Sequence, residues 1–386
     1  MRTIGTVARG IRAPLIKAGD NMARIVTESV LAAAKDENFS LRDKDVVAVT
    51  EAVVARAQGN YATCAQIARD VRAKFPGGEL AVTFPILSRN RFANILKGIA
   101  QGCDKLYIVL SYPADEVGNE LISWDMIDAA GVNPYTDVLT EGEYREKFGY
   151  ETKHVFTGMD YVEYYKSFGG HVEIVFANDV RSALRFTKHV LCCDVHSRAR
   201  SKRLLKEAGA ETVYGLDDIL SSSVDGSGYN EQYGLLGANK AMGDSVKLFP
   251  RDCEALVDEI ARLLQKATGK QIEAMVYGDG AFKDPVGHIW ELADPVVSPG
   301  FTPGLEGTPN ELKLKLLLDN ELAGKGEAEA RAAIQAKAGN LEDRALGTTP
   351  RRYTDLLGSL CDLVSGSGDK GTPVVLVQGY FDNYAS

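Results

Sequence analysis

The sequence predicts a mixed α/β protein with more material than one simple core needs. Three observations carry this. The chain has 386 residues, so two domains or one elaborated domain are expected. Residues 45–57 (DVVAVTEAVVARA) begin as a continuous apolar strand, the pattern of a strand in a sheet covered on both faces. From about residue 130 to 225, strand-like and helix-like stretches alternate.

Composition narrows the function classes. Hydrophobic residues make up 45% and charged residues 25%, the ordinary mixture of a globular protein. The net charge of -9 argues against broad nucleic-acid binding, which needs a cationic face. It leaves room for a local basic pocket. None of the six cysteines forms a CxxC pair, which excludes a zinc ribbon and fits reduced thiols in a cytoplasmic protein. No signal peptide is indicated at the N-terminus, and no apolar run reaches about 18 residues, so no membrane partner is expected.

Ile4, Val7 and Ile11 suggest a first strand, and Pro14 ends it. A helix capped near Asp20 follows, with Met22, Ile25, Val26 and Leu31 along one side. The strand from residue 45 carries Thr50, Glu51 and Arg56 at or beyond its end. Arg56 reads either as a phosphate ligand or as a solvated arginine. Residues 62–75 form a helix. Ser88, Arg89, Asn90 and Arg91 bunch at the start of the next helix, residues 92–101. That is a candidate anion site, since arginines bind anions bidentately and a helix start is electropositive. The plainer reading is exposed arginines at a helix start.

Residues 105–111 (KLYIVLS) form a strand, and Asp115, Glu116 and Asn119 sit at its carboxyl end, where ligands often bind. Residues 171–177 and 187–194 are strands, and a helix through Glu207 follows His196. His171, His189 and His196 are scattered and read as structural. Residues 252–268 are helical and 274–277 a short buried strand. Residues 295–309 read mostly as loop, residues 310–322 and 327–338 as helices, and residues 374–378 as a last strand. Residues 347–352 (GTTPRR) hold a second bunched arginine pair.

The densest chemistry follows residue 277. The strand breaks at Gly278-Asp279-Gly280, and Lys283, Asp284, His288, Glu291 and Asp294 come next. Carboxylates at a glycine-flanked strand end suit a hard cation over a phosphate. A polar turn with surface charges is the alternative. Residues 365–373 (SGSGDKGTP) have the composition of a phosphate cradle without the GxxxxGK[ST] spacing, and no GxGxxG fingerprint opens a suitable βαβ unit.

Four stretches together resemble the coenzyme F-420-0:L-glutamate ligases, which add glutamate through a γ-linkage. They are PLIKAGD at residues 14–20, DVVAVTEAVVARAQG at 45–59, GLLGANKA at 234–241 with TGKQIEAMVYGDG at 268–280, and SGSGDKGTPVVLVQG at 365–379. Their order matches the family. The resemblance implies an α+β enzyme with mixed sheets and flanking helices, two domains and an intertwined homodimer. Residues 1–60 and 226–386 form its ligase-like core, and residues 61–225 an inserted or divergent α/β region.

The resemblance further implies an enzyme that binds GTP or ATP with Mg2+ or Mn2+. It would activate a carboxylated acceptor (F-420-0, a folate or similar) as an acyl phosphate and join it to L-glutamate. Pro14, Leu15, Ile16, Lys17 and Arg56 match nucleotide-contacting positions, Arg56 standing where a lysine is usual. Gly366, Ser367, Gly368, Asp369, Lys370 and Gly371 match the nucleotide loop. Asp279 matches a metal-binding aspartate, with Lys283 and Asp284 beside it as catalytic candidates. The family's second metal aspartate falls at Asn239, and its loop glutamate at Ser365 or Ser367. Asp284, Glu291, Asp294, Asp369 or Asp115 are replacements for the missing carboxylates. Arg89, Arg91, Asp115, Asn119 and Lys240 are the substrate-anion candidates. The alternative is a nucleotide-binding protein of the same fold with altered or lost ligase activity.

Overall fold

The structure is a computed structural model that describes residues 3–150, 152–290, 294–309, 314–338 and 351–382. In chain order the elements are β1 (Val7–Ile11), α1 (Met22–Asp36), β2 (Val46–Thr50), α2 (Glu51–Ala57), β3 (Tyr61–Thr63), α3 (Cys64–Lys74), β4 (Glu79–Thr83), α4 (Ala93–Gln101), β5 (Lys105–Leu110), α5 (Trp124–Ala130), β6 (Leu139–Thr140), α6 (Glu141–Phe148), α7 (Tyr161–Lys166) and β7 (Val172–Phe176). They continue with β8 (His189–Cys192), α8 (Arg198–Glu207), β9 (Thr212–Gly215), β10 (Asn239–Lys240), β11 (Ser245–Lys247), α9 (Cys253–Thr268), β12 (Glu273–Tyr277), β13 (Gly300–Phe301), α10 (Leu314–Asp319), α11 (Glu327–Ala338), α12 (Tyr353–Ser365) and β14 (Val374–Gln378).

The fold is mixed α/β, and the chain divides into two compact units. The first holds Met1–Ala57, Asp252–Gly280 and Val296–Ser386; the second holds Gln58–Arg251 and Ala281–Pro295.

In the first unit a five-stranded sheet runs β1-β14-β2-β12-β13. Only β2 and β12 are parallel; the other neighbours are antiparallel. Strand period 2 splits the central strands between two faces. Val47, Val49, Ala274, Val276, Val374 and Leu376 share a core with Val26 and Val30 of α1 and Val257, Ile260 and Leu264 of α9. Val46, Ala48, Met275, Tyr277, Val375 and Val377 share the other core with Leu357 and Cys361 of α12. Both faces are covered, which is why these strands read as unbroken apolar runs.

Helix α1 starts one residue later than its sequence suggests. The Asn21 side chain accepts the Arg24 N–H at 3.0 Å, whereas the Asp20 carboxylate takes the Lys17 N–H at 2.6 Å. Strand β13 lies inside the stretch read as loop. It packs so close to α9 that a Cβ on Gly300 would come within 2.6 Å of the Cys253 backbone.

In the second unit a six-stranded sheet runs β6-β7-β5-β4-β8-β9. Five strands are parallel, and β6 is an antiparallel edge. The chain builds β4, β5 and β7 to one side, then returns past β4 to add β8 and β9. This is a doubly wound sheet whose direction reverses at β4. Ile67, Val71, Ile95 and Ile99 of α3 and α4 pack with one face, and Leu205 of α8 with the other. Strands β10, β11 and β3 form a small antiparallel sheet. All six cysteines are buried and free. Among the described residues no helix is long and apolar enough to cross a membrane.

Leu376 is fully buried in a strand with two neighbours. Leu376→Ala is expected to destabilise the protein by about 2–5 kcal/mol, because the covered sheet cannot collapse into the void. Urea unfolding checks this; a loss well under about 1 kcal/mol would show that the layer repacks.

Candidate functional site

The register of the first unit brings the segments of interest to one end of its sheet. Ile11 pairs with Val374, Val374 with Val49, and Thr50 with Tyr277. Strands β1, β2 and β12 therefore end where β14 begins. The chain beyond each carries a predicted stretch: Pro14 to Lys17 after β1, α2 with Arg56 after β2, and Asp279 after β12. Gly366 to Gly371 precede β14. Segments far apart in sequence become spatial neighbours only through this pairing.

Backbone bonds tie the segments together. The Gly19 N–H donates to the Ala57 carbonyl at 2.8 Å, linking the post-β1 loop to the end of α2. The Thr50 N–H donates to the Pro373 carbonyl at 3.0 Å, linking β2 to the glycine loop. Gly368 comes so close to Thr50 that a Cβ would sit 3.3 Å from its methyl, and its φ of +87° favours glycine.

Side chains differ in what they offer a ligand. Pro14, Leu15 and Lys17 are exposed, Leu15 to 90%, while Ile16 is buried and anchors the loop. Arg56 is exposed on the last turn of α2. Ser367, Asp369, Lys370 and Gly371 are exposed, with Gly366 and Gly368 half-buried between them. Asp279 is buried. A groove of about 820 Å³ in this unit is lined by Arg9, Arg12, Pro14, Glu28 and Phe39 among others.

Helix α12 supplies Asp362, which the sequence reading passed over, and Ser365, read there only as a position of the family's loop glutamate. The Gly280 N–H donates to Asp362 Oδ2 at 3.0 Å, and Ser367 Oγ donates to Asp362 Oδ1 at 2.7 Å. The Tyr277 hydroxyl donates to Ser365 Oγ at 2.6 Å, and burial pushes that phenol far above its ordinary value. A signal for Asp362 existed. Thr354, Leu357, Gly358, Cys361, Asp362 and Ser365 are the buried stripe of a helix, so its spacing places a carboxylate on the covered face.

The remaining predicted residues belong to the second unit. Asp115 is a buried carboxylate that accepts the N–H groups of Leu87, Val117 and Asn119 and the Asn119 side-chain amide. Burial raises its carboxyl, and those donors oppose the shift. Asn119 in turn bonds His154 Nε2 at 2.9 Å. These two residues fasten the loops after β4 and β5. Arg89 is exposed, and Arg91 pairs with buried Asp294 at 2.9 Å. Half-buried Asn239 and exposed Lys240 form β10, and the Lys240 N–H donates to Asn90 O at 2.6 Å. Lys283 lies 5.7 Å from the Trp290 ring centroid, and Asp284 accepts the Gly287 N–H inside a small turn. His171 bonds Ala100 O and His189 bonds Thr212 Oγ1.

Among the described residues no group of three or more His, Cys, Asp and Glu side chains could hold a metal ion. Of the expected metal trio, Asp279 lies in the first unit and Asn239 and Asp284 in the second. Glu291 and residues 310–313 and 347–350 lie outside the described residues.

One further carboxylate stands at a strand end. Asp194, just past β8, is fully buried; Ser197 and Ser201 hydroxyls donate to Oδ2, and Oδ1 has no hydrogen-bond partner among the described residues. Burial holds its carboxyl above the ordinary range. The folded chain therefore binds this proton more tightly than the unfolded chain. Its contribution to stability is full below the ordinary carboxylate range and is lost as pH rises through the raised value. Asp194→Asn removes that loss, so its stability relative to the unaltered chain should rise as pH goes from about 4 to about 7. Urea unfolding at both pH values checks this; an unchanged difference would show that Asp194 does not titrate as its burial demands.

Comparison with known proteins agrees with the sequence resemblance. A search of curated protein sequences finds no match. The family profile described as F420-0:Gamma-glutamyl ligase matches residues 10–379, nearly the whole chain. The chain belongs to the F420-0:gamma-glutamyl ligase family.

Proposed function

We propose that this protein is an NTP-dependent γ-glutamyl ligase, with GTP the expected nucleotide, ATP the other candidate, and F-420-0 or a related carboxylated molecule as acceptor. One observation carries the reading. The post-β1 loop, the end of β2, the Asp279 turn and the glycine loop meet at one sheet end, in a chain whose family is defined by this ligation.

The reaction has two steps. An acceptor carboxylate oxygen attacks the γ-phosphorus, the bond to the bridging oxygen breaks, and the nucleoside diphosphate leaves. The glutamate amine then attacks the acyl phosphate, phosphate leaves, and the amine gives up a proton as the amide forms. Such chemistry needs positioning and neutralised charge more than a protein nucleophile. Lys17, Arg56 and Lys370 supply cations for phosphate oxygens. The glycines of the loop from Gly366 to Gly371 let backbone approach a phosphate closely, although the N–H groups of Gly366, Gly368, Asp369, Lys370 and Gly371 already serve nearby carbonyls. Mg2+ commonly takes one or two carboxylates together with substrate phosphates. Buried Asp279 fits that donor chemistry and would hold the ion. The bound ion would neutralise charge on the transferring phosphoryl group.

The protein is further proposed to act as a cytoplasmic homodimer. Six free buried cysteines favour a reducing compartment. Strand β1 forms the edge of its sheet, open to pairing. The Arg89, Arg91 and Lys240 region, with Asp115 and Asn119, is retained as the candidate acceptor or glutamate site. Lys283 and Asp284 are retained as catalytic candidates.

A second reading is favoured by one fact, the lack of a three-member ligand group among the described residues. In that reading the chain binds nucleotide but no longer ligates. Calorimetric titration with GTP and ATP, with and without Mg2+ or Mn2+, separates the two. Ligase function predicts metal-dependent binding and glutamate-dependent phosphate release with a carboxylated acceptor. Binding indifferent to metal supports the second reading. Asp279→Ala is expected to abolish metal-dependent nucleotide binding and leave the circular dichroism spectrum unchanged. Wild-type affinity in that variant would remove Asp279 from the site.

A further inference from the structure

The Asp279 turn and the glycine loop are joined by a single carboxylate. Asp362 is buried to 7% exposure, and each of its oxygens serves a different segment. Oδ2 receives the Gly280 N–H at 3.0 Å, one residue past Asp279. Oδ1 receives the Ser367 hydroxyl at 2.7 Å, the second residue of the loop. Both partners are neutral donors, and among the described residues Asp362 makes no ion pair. Charge-assisted bonds of this kind are stronger than neutral ones.

The surroundings show that the contact is built in. A Cβ on Gly280 would come to 3.0 Å from Ser359 Cα and 3.3 Å from Asp362 Oδ2, so α12 passes close against the turn. One helical turn along, Ser365 is fully buried and receives the Tyr277 hydroxyl. Helix α12 is thus pinned to the end of β12 at two points. The loop is a run of tight turns, in which the N–H groups of Gly368, Asp369, Lys370 and Gly371 donate to carbonyls of Ser365, Gly366 and Gly368. Gly366, Ser367, Gly368 and Gly371 all have positive φ, and its internal bonds are short-range turns. Those turns set its local shape, and its placement against the end of β12 comes from contacts beyond the loop.

We propose that Asp362 is the positioning residue of this site. It acts through Gly280 and Ser367, setting the distance between the Asp279 carboxylate and the loop that cradles phosphate. It thereby spares the nucleotide the cost of ordering the loop on binding. The inference rests on the proposed nucleotide site.

A double-mutant cycle on the full-length chain tests it, with Asp362→Asn, Ser367→Ala and the pair. The readouts are GTP and ATP affinity in the presence of Mg2+, and the urea midpoint. Ser367→Ala touches an exposed side chain and is expected to fold normally. Each single variant is expected to weaken nucleotide binding about tenfold, the scale of one hydrogen bond to a charged group. The double variant should bind no more weakly than Asp362→Asn alone, because the two share one interaction. A merely structural bond would lower the urea midpoint of Ser367→Ala and leave its nucleotide affinity at the value of the unaltered chain. Wild-type affinity in Ser367→Ala, or losses that simply multiply in the pair, would overturn the positioning role. If Asp279→Ala still loses binding in that case, the site reading stands and only Asp362 is dismissed. No nucleotide binding by the unaltered chain would overturn both.

Discussion

The parallel pairing of β2 with β12 is the constraint on which the first unit depends. It sets Val46 beside Glu273 and Thr50 beside Tyr277, strands separated by the whole of the second unit's main segment. Parallel strands cannot be joined by a tight turn, so a crossover is obligatory and its length is free. That freedom lets a chain carry Gln58–Arg251 between two adjacent strands. Strand β14 then pairs antiparallel with β2, bringing the glycine loop to the same end as Asp279. Without this register the candidate segments would share no geometry.

Burial on both faces stabilises the pairing and explains its sequence. Each of these strands sends alternate residues into two separate cores, so every position is apolar until the strand ends. Polar chemistry is therefore concentrated at the ends: Glu51, Asp279 and the loop before Val374. The one carboxylate that α12 buries against this end is Asp362, whose bonds go to backbone and hydroxyl donors. A buried carboxylate without such donors would be costly, and with them it orders what surrounds it. Asp115 plays the equivalent part in the second unit, where its four donors gather two loops. Its chemistry is the same as that of a ligand-binding carboxylate, and its observed hydrogen bonds come from three backbone N–H groups and the Asn119 side-chain amide.

The doubly wound sheet of the second unit arises without any dinucleotide fingerprint. Strand order and the right-handed crossover follow from packing helices on both faces of a parallel sheet, and they imply no particular ligand. The family assignment and the chemistry of the first unit therefore carry the functional reading.

The sequence by itself determined the elements with strong periodicity. Helices α1, α3 and α9 and strands β2, β5, β12 and β14 are legible because their apolar spacing is set by what each buries. The family resemblance was legible too, since it rests on glycines, prolines and charges in four ordered stretches. Tertiary structure decided the rest. Strand β4, the centre of its sheet, is five residues between Gly78 and a proline turn, too short for period to separate strand from loop. Asp115, Arg91 and Asp284 read as ligands in sequence, and only the fold shows that each also has a partner within the chain: Leu87, Asp294 and Gly287. Asp362 looked like nothing, because a carboxylate on a helix reads as solvated until its stripe is known to be covered. Which charged groups face a ligand and which are consumed by the fold is a question of hydrogen-bond partners, and those partners come from remote parts of the chain.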